Sequence, residues 1–264
     1  MFKYPISIIS VLINISVISC KKEAEIANNP KPTLKEISGS KNHGEKTINL
    51  NQGLVAYYPF TGNANDASGN KNNGINHGAL LTADRKGKRN SAYSFNGINN
   101  SIIVPHNDLL SLTNFTICSW IKIPNLSNDF YEILTKGGDL DENYEHVVYG
   151  NPVPPAGFVE CAIKFTDGSR GYTFPVQNNF VKENQWSHIA SSYEVSTGTL
   201  KTYVNGKLFQ TGIVGANMTP IFNTTALYIG SDPYVGRYHE GMIDEIRIYN
   251  RALTQSEITY LSTH

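Results

Sequence analysis

Between Leu54 and Tyr249 the apolar residues fall on alternate positions, in short runs cut by Gly, Asn, Asp and Pro. Alternation matches a pleated strand, whose successive side chains leave on opposite faces, and does not match the longer period of a helix. Strands are expected at Leu54–Tyr58, Ala92–Phe95, Ser101–Val104, Phe115–Ile123, Tyr131–Thr135 and Glu145–Tyr149. Others are expected at Phe158–Phe165, Gly171–Phe174, Trp186–Tyr193, Thr199–Val204, Lys207–Gln210, Ala226–Ile229 and Met242–Tyr249. Many short strands with frequent turn signals argue for packed antiparallel sheets rather than strand–helix–strand units.

Three local patterns sharpen this reading. Asn205-Gly206 stands between Tyr203-Val204 and Lys207-Leu208. Both residues tolerate positive φ, which predicts a type I′ hairpin. In Phe115–Lys122, Phe115, Ile117 and Ile121 share one face, while Thr116, Cys118, Trp120 and Lys122 share the other. One helix is expected at the end. Thr254 and Glu257 fit a capping box, and Leu253, Ile258 and Leu261 give it an apolar side.

Charged residues make up 17% of the chain, below the roughly 25% usual for soluble domains. Neutral polar residues and tyrosine take their place, as in extracellular β-rich proteins. The 22 basic residues are balanced by 22 acidic ones, so no positive field draws the chain to nucleic acid. Of three cysteines, Cys118 and Cys161 fall in strand-like runs. A disulfide between them and two buried free thiols both remain open from sequence, because bonding range is a matter of fold.

The start of the chain reads as an address. Lys3 precedes an apolar run, Ile6–Ile18, that is short for a membrane span. It ends in Val17-Ile18-Ser19-Cys20, which resembles a bacterial lipoprotein lipobox. The resemblance implies a diacylglyceryl group on Cys20, cleavage before it and stable anchoring by several acyl chains. Lys21-Lys22-Glu23 follows, with no Asp after Cys20. That tripeptide resembles surface-export tags and points to the outer membrane and its external side. Residues 1–19 are thus expected as a signal peptide, 20–50 as the lipidated Cys with a linker, and 51–264 as one domain. The linker carries Asn28-Asn29-Pro30-Lys31-Pro32 and Ser38-Gly39-Ser40 and has nothing to bury. Fully extended, it reaches on the order of 100 Å.

A longer set of motifs runs through the domain. It opens with Gly53-Leu54-Val55-Ala56-Tyr57-Tyr58-Pro59-Phe60, followed by Asn65-Asp66-Ala67-Ser68-Gly69-Asn70 and Ser91-Ala92-Tyr93-Ser94-Phe95-Asn96-Gly97. Later come Trp186-Ser187-His188-Ile189-Ala190, Tyr203-Val204-Asn205-Gly206, Leu227-Tyr228-Ile229-Gly230 and Gly241-Met242-Ile243-Asp244-Glu245-Ile246-Arg247-Ile248-Tyr249. In order and spacing, residues 52–264 resemble bacterial laminin G-like domains of the concanavalin A-like lectin and glucanase superfamily, to which pentraxins also belong. The resemblance implies an all-β jelly-roll sandwich of two antiparallel sheets, here with one short C-terminal helix. It also implies a structural calcium, with Asp66 and Asp244 at the matching positions and Asn70 assisting. An oxygen-rich loop with a distant carboxylate suits that ion. Asx turns at Asp66 and Asn70 and an arginine pair at Asp244 are the alternative.

Enzymatic chemistry finds little support. Glucanases of this type carry closely spaced acids on one strand, with carboxyls about 5 Å apart when they retain configuration. No Glu-x-Asp-x-Glu run occurs; Asp139, Asp141, Glu142 and Glu145 lie in a loop region, and Asp244 and Glu245 are adjacent. No Gly-x-Ser-x-Gly elbow or zinc pattern is present, and His188 reads as scaffold. A binding module is expected instead, for glycan first and for a surface protein second. Rings that stack on sugar faces and polar groups that meet hydroxyls are supplied by Tyr144, Tyr149, Arg170 and Tyr172, and by Tyr234, Arg237 and Tyr238.

Overall fold

The computed structural model describes residues 48–138, 142–151, 156–173 and 181–264. The signal peptide, Cys20 and the linker up to residue 47 lie outside the described residues, as do Asp139 and Asp141. Everything described belongs to the compact unit Lys46–His264.

The strands are β1 (Leu54–Tyr58), β2 (Ile75–His77), β3 (Leu80–Thr82), β4 (Ala92–Asn96), β5 (Ser101–Val104), β6 (Phe115–Lys122), β7 (Phe130–Lys136), β8 (Tyr144–Tyr149) and β9 (Phe158–Lys164). They continue as β10 (Arg170–Tyr172), β11 (Trp186–Glu194), β12 (Thr199–Val204), β13 (Lys207–Ile213), β14 (Leu227–Ile229), β15 (Ser231–Asp232), β16 (Arg237–Tyr238) and β17 (Glu240–Tyr249), followed by helix α1 (Gln255–Leu261). The first sheet runs β13-β12-β11-β6-β17-β4-β3, with β1 also paired to β17; the second runs β10-β9-β8-β7-β14-β5-β2. Both are antiparallel, so the described residues form the two-sheet sandwich expected from the sequence.

The alternation in β6 plays out as expected. Phe115, Ile117 and Ile121 enter the main core between the sheets, where they meet Tyr131, Ile133, Tyr144, Val148 and Ile163 of the second sheet. Cys118 faces the other way, into a smaller cluster with Ala190, Tyr203, Tyr249, Leu253, Ile258 and Leu261. This cluster is the seat of α1 on the outer face of the first sheet. Cys161 belongs to the main core, so the two thiols serve different layers and both are free. The disulfide left open above does not form. Burial pushes the Cys118 thiol up to about 12, as expected for an inert packing residue.

Four strands escaped sequence reading. β2 and β3 are three-residue sheet edges, and β2 is exposed throughout. An edge with no buried face writes no alternation into its sequence. β15 and β16 are two-residue strands that pair only with each other.

The Asn205-Gly206 turn takes φ values of 49° and 75°, as a type I′ hairpin requires. Gly206 is needed twice over, since a Cβ there would lie 2.3 Å from Ser262 Oγ on the packed helix end. The Gly206 carbonyl accepts from Thr259 Oγ1 at 3.2 Å. The capping box is complete at Thr254 and Glu257. Glu257 also accepts from both terminal nitrogens of Arg251, at 3.0 and 2.6 Å. Those bonds from Arg251 hold its carboxyl down at about 2. A depressed carboxylate stabilises the fold above its unfolded pKa of about 4.5 and loses that contribution as pH falls through about 2. Glu257→Gln is therefore expected to cost about 1 kcal/mol near neutrality. It also flattens the loss of stability between pH 4.5 and 2, read by urea unfolding at a series of pH values. A variant as acid-sensitive as the parent over that window removes this role.

Candidate ligand-binding face

The outer face of the second sheet is built by alternation on four neighbouring strands. Tyr131, Ile133, Tyr144, Val148, Val159, Cys161 and Ile163 point into the core. His146 also points inward, its Nδ1 lying 2.7 Å from Ser191 Oγ of the opposite sheet. The intervening positions therefore look out: Phe130 and Glu132 on β7, Glu145 and Tyr149 on β8, Phe158 and Glu160 on β9, and Arg170 and Tyr172 on β10.

Register aligns the rings. Phe130 is opposite Tyr149, and Tyr149 is opposite Phe158. Phe130 and Tyr149 meet edge to face at 4.8 Å, while Tyr149 and Phe158 stack at 4.3 Å. The Arg237 guanidinium lies 3.7 Å over the Phe130 ring, an attraction between cation and ring quadrupole. Arg237 arrives on the β15–β16 hairpin, which also carries Asp232 and Tyr234.

A band of acids lies beside this row. Arg170 Nη2 pairs with Glu145 at 2.7 Å and with Glu142 at 3.2 Å. Arg237 Nη1 reaches the other Glu145 oxygen at 3.3 Å. The Tyr149 hydroxyl donates to Glu160 at 3.2 Å, and the Tyr234 N–H donates to Asp232 at 2.9 Å. Glu132 is fully buried and neither of its oxygens has a hydrogen-bond partner. Burial, and then the charges of Glu145 and Asp232, push its carboxyl well above the usual range. Burial and the Glu145 charge likewise raise Glu142 to about 8 and Glu160 to about 7. The acids are the floor of the face; Arg170, Tyr172 and Tyr234 are its accessible rim, with side-chain exposure of 43% for Arg170.

Of the residues expected to touch ligand, Tyr149, Arg170, Tyr172, Tyr234 and Arg237 are placed on or around this face. Tyr238 pairs with Ser231 at the base of the hairpin. Tyr144 does not belong with them. Its ring is buried against Phe115, and its hydroxyl donates to the Leu110 carbonyl at 3.0 Å. It lies next to an outward residue in sequence, and the pleat sends it to the core. Phe130, Glu132, Phe158, Glu160 and Asp232 were missed. Their signal was present as one outward residue per strand, but only register shows that these residues are neighbours.

The residues expected to bind calcium are otherwise engaged. Asp66 accepts from the N–H groups of Tyr57, Ser68 and Asn72 and from the Ser68 hydroxyl, all at 2.8–2.9 Å. The Asn70 amide donates to the carbonyls of Leu54 and Val55. Asp244 pairs with Arg85 at 2.9 Å. Asp66 thus closes its loop through protein donors, and Asp244 answers a guanidinium. The turn at Asp66 and the arginine pair at Asp244 are both formed.

A concavity of about 440 Å³ opens on the outer face of the first sheet, lined by Arg85, Trp120, His188, Glu245, Arg247 and Tyr260 among others. The regular strand assumed for Asp244-Glu245 is interrupted: register shifts between Asp244 and Arg247, and Glu245 has φ 54°. This bulge brings both acids to the same side. Every charge here has a partner, since Arg247 pairs with Glu245 at 2.9 Å and stacks over Tyr57 at 4.0 Å. His188 is buried, and burial and then Arg85 lower it to about 3, so it is a neutral scaffold residue.

Comparisons with known proteins agree with this architecture. A laminin G-like family model of the concanavalin A-like lectin/glucanases superfamily matches residues 96–259. Adhesion G-protein coupled receptor V1 of Danio rerio is 26% identical over 184 residues, which is 68% of this chain and 3% of that receptor. Among solved structures, domain 4 of AbnA, a GH43 extracellular arabinanase from Geobacillus stearothermophilus, in complex with arabinotriose, superposes with a TM-score of 0.61 at 23% identity. The match covers 80% of this chain and 98% of that one. The binding domain of Paraclostridial Mosquitocidal Protein 1 gives 0.63 at 22% identity, over 81% and 52%. These two likenesses concern the fold.

The separation of core from face has a direct test. Tyr144→Phe removes one buried hydroxyl bond and is expected to lower stability by about 1 kcal/mol, measured by chemical denaturation, with no change in the fluorescence of the Tyr149 face. A stability unchanged from the parent places Tyr144 outside the core network.

Proposed function

The chain belongs to the concanavalin A-like lectin/glucanase superfamily, and from that premise we propose that it is a tethered extracytoplasmic module that binds carbohydrate on the outer face of its second sheet. The half-buried rings of Phe130 and Tyr149 carry this reading, with Phe158 buried as the support stacked on Tyr149. Rings offer a rigid apolar surface to the C–H faces of a sugar. Around them, the Arg170 and Arg237 guanidinium groups and the Tyr172 and Tyr234 hydroxyls supply donors for sugar oxygens. The arabinanase domain, whose structure is in complex with arabinotriose, supports this choice of ligand class.

Burial favours binding over hydrolysis. A hydrolytic carboxyl must touch substrate, whereas Glu132, Glu145 and Glu160 are exposed by 0%, 3% and 6%. Glu145, moreover, is held by two arginines. Lipidation at Cys20, followed by removal of residues 1–19, anchors the module, and residues 20–50 give it reach from the outer membrane. A second reading, adhesion to a surface protein, draws on the adhesion receptor relative. It also draws on Ile75 and Leu80, exposed by 55% and 71% on the two sheet edges.

Two experiments test these readings. Thermal melting of the purified chain against a polysaccharide panel should show a rise specific to one sugar class. Tyr149→Ala or Arg170→Ala should weaken that binding about tenfold, roughly 1.4 kcal/mol. Tyr260→Ala, on the helix that packs against the other sheet, should leave it unchanged. Capture of a partner protein that Ile75→Ser abolishes, with no response to any glycan, would establish the adhesive reading instead. Separately, Cys20→Ala should shift the chain from the membrane fraction to the soluble one and abolish its labelling by palmitate. Retention of both in the variant excludes the lipid anchor.

A further inference from the structure

The acids beneath the ring row present a chemistry that sugar binding does not use. One oxygen each from Glu132, Glu145 and Asp232 lie within 4.8 Å of one another. They come from three separate elements, β7, β8 and β15. Glu132 has no exposed surface, and both of its oxygens lack a hydrogen-bond partner. One oxygen of the neighbouring Glu142 is also without a partner. Arg170 and Arg237 bond to Glu145, and Arg170 to Glu142, but neither bonds to Glu132. Five buried carboxyl groups, those of Glu132, Glu142, Glu145, Glu160 and Asp232, thus gather around two guanidinium groups.

A carboxylate withdrawn from water with nothing opposite it is strongly unfavourable. Oxygen ligands carrying excess negative charge suit a hard cation, and soft or nitrogen-seeking metals find no thiolate or imidazole among these three ligands. Three oxygens within 4.8 Å of one another all lie within about 2.8 Å of a common point, nearer to the bond length of calcium, about 2.4 Å, than to that of the smaller magnesium, about 2.1 Å. The arginines do not compete for the whole of Glu145, since each of its oxygens keeps a second lone pair.

We propose that Glu132, Glu145 and Asp232 together hold one divalent cation of the calcium type, with Glu132 as the ligand that no protein donor neutralises. The ion ties the β15–β16 hairpin to β7 and β8. It thereby fixes Arg237 over Phe130 and sets Tyr234 at the rim. The site is distinct from the Asp66 loop, and it stands whether the face above it takes sugar or protein.

The test uses the purified full chain stripped by chelator and titrated with calcium alone, followed by calorimetry and thermal melting. The parent should bind one ion per chain and melt higher with calcium than with chelator. Glu132→Gln and Asp232→Asn should each weaken binding at least tenfold and remove the calcium-dependent rise, while Asp66→Asn keeps both. A parent with no calcium response in either readout overturns the proposal. So does a Glu132→Gln variant that binds like the parent, or a loss of binding confined to Asp66→Asn. If Glu132→Gln fails to fold, the parent titration and Asp232→Asn decide the matter.

Discussion

Strand β17 is the element on which the sandwich closes. It hydrogen-bonds to β1, β4 and β6 in antiparallel register, so the opening strand of the described domain and one of its last elements are joined in one sheet. These contacts are far apart in sequence, and their loop-closure entropy is recovered only when the apolar faces of both sheets come together. The bulge at Glu245 is the local consequence. β17 adjusts its register against β6, and Asp244 and Glu245 turn to the same side, each toward its own arginine. A regular strand would have sent one of them into the core.

The second sheet shows how the same pleat divides labour. Each strand from β7 to β9 gives one set of residues to the interior and the other to the ring and acid face. The interior set is apolar apart from Lys136, whose ammonium donates to Asn223 and Thr225, and His146, whose ring bridges to Ser191 across the layers. Burial lowers that imidazole to about 3, so it serves as a neutral link. The outward set concentrates charge. Glu145 is its centre, meeting Arg170 from β10 and Arg237 from the hairpin. That pairing fastens an irregular segment to a regular sheet, which places recognition residues on a rigid support.

Much of the fold was legible because alternation is a local property. The faces of β6, the Asn205-Gly206 turn and the Thr254–Glu257 cap each depend on residues a few positions apart, and each is found as the sequence implies. The edge strands β2 and β3 were not legible, since a strand without a buried face carries no pattern. The candidate face was half legible. Tyr149, Arg170, Tyr172, Tyr234 and Arg237 stand out in composition, but Tyr144 shares their chemistry and differs only in the side of the pleat it occupies. Asp66 and Asp244 likewise look like ligands by type, and their hydrogen bonds give them other work.

The amino-acid sequence by itself determined the all-β class, the C-terminal helix and the balance of charge, because each follows from local periodicity, capping or composition; the family was legible in the order and spacing of its motifs. Tertiary structure alone decided that Phe130, Tyr149 and Phe158 form one row and that Glu132, Glu145 and Asp232 meet beneath it. It also decided that Cys118 and Cys161 serve opposite layers. The physical reason is register. Which strand lies beside which, and at what offset, is settled by burying two faces at once across long sequence separations, and no short stretch of the chain records that choice.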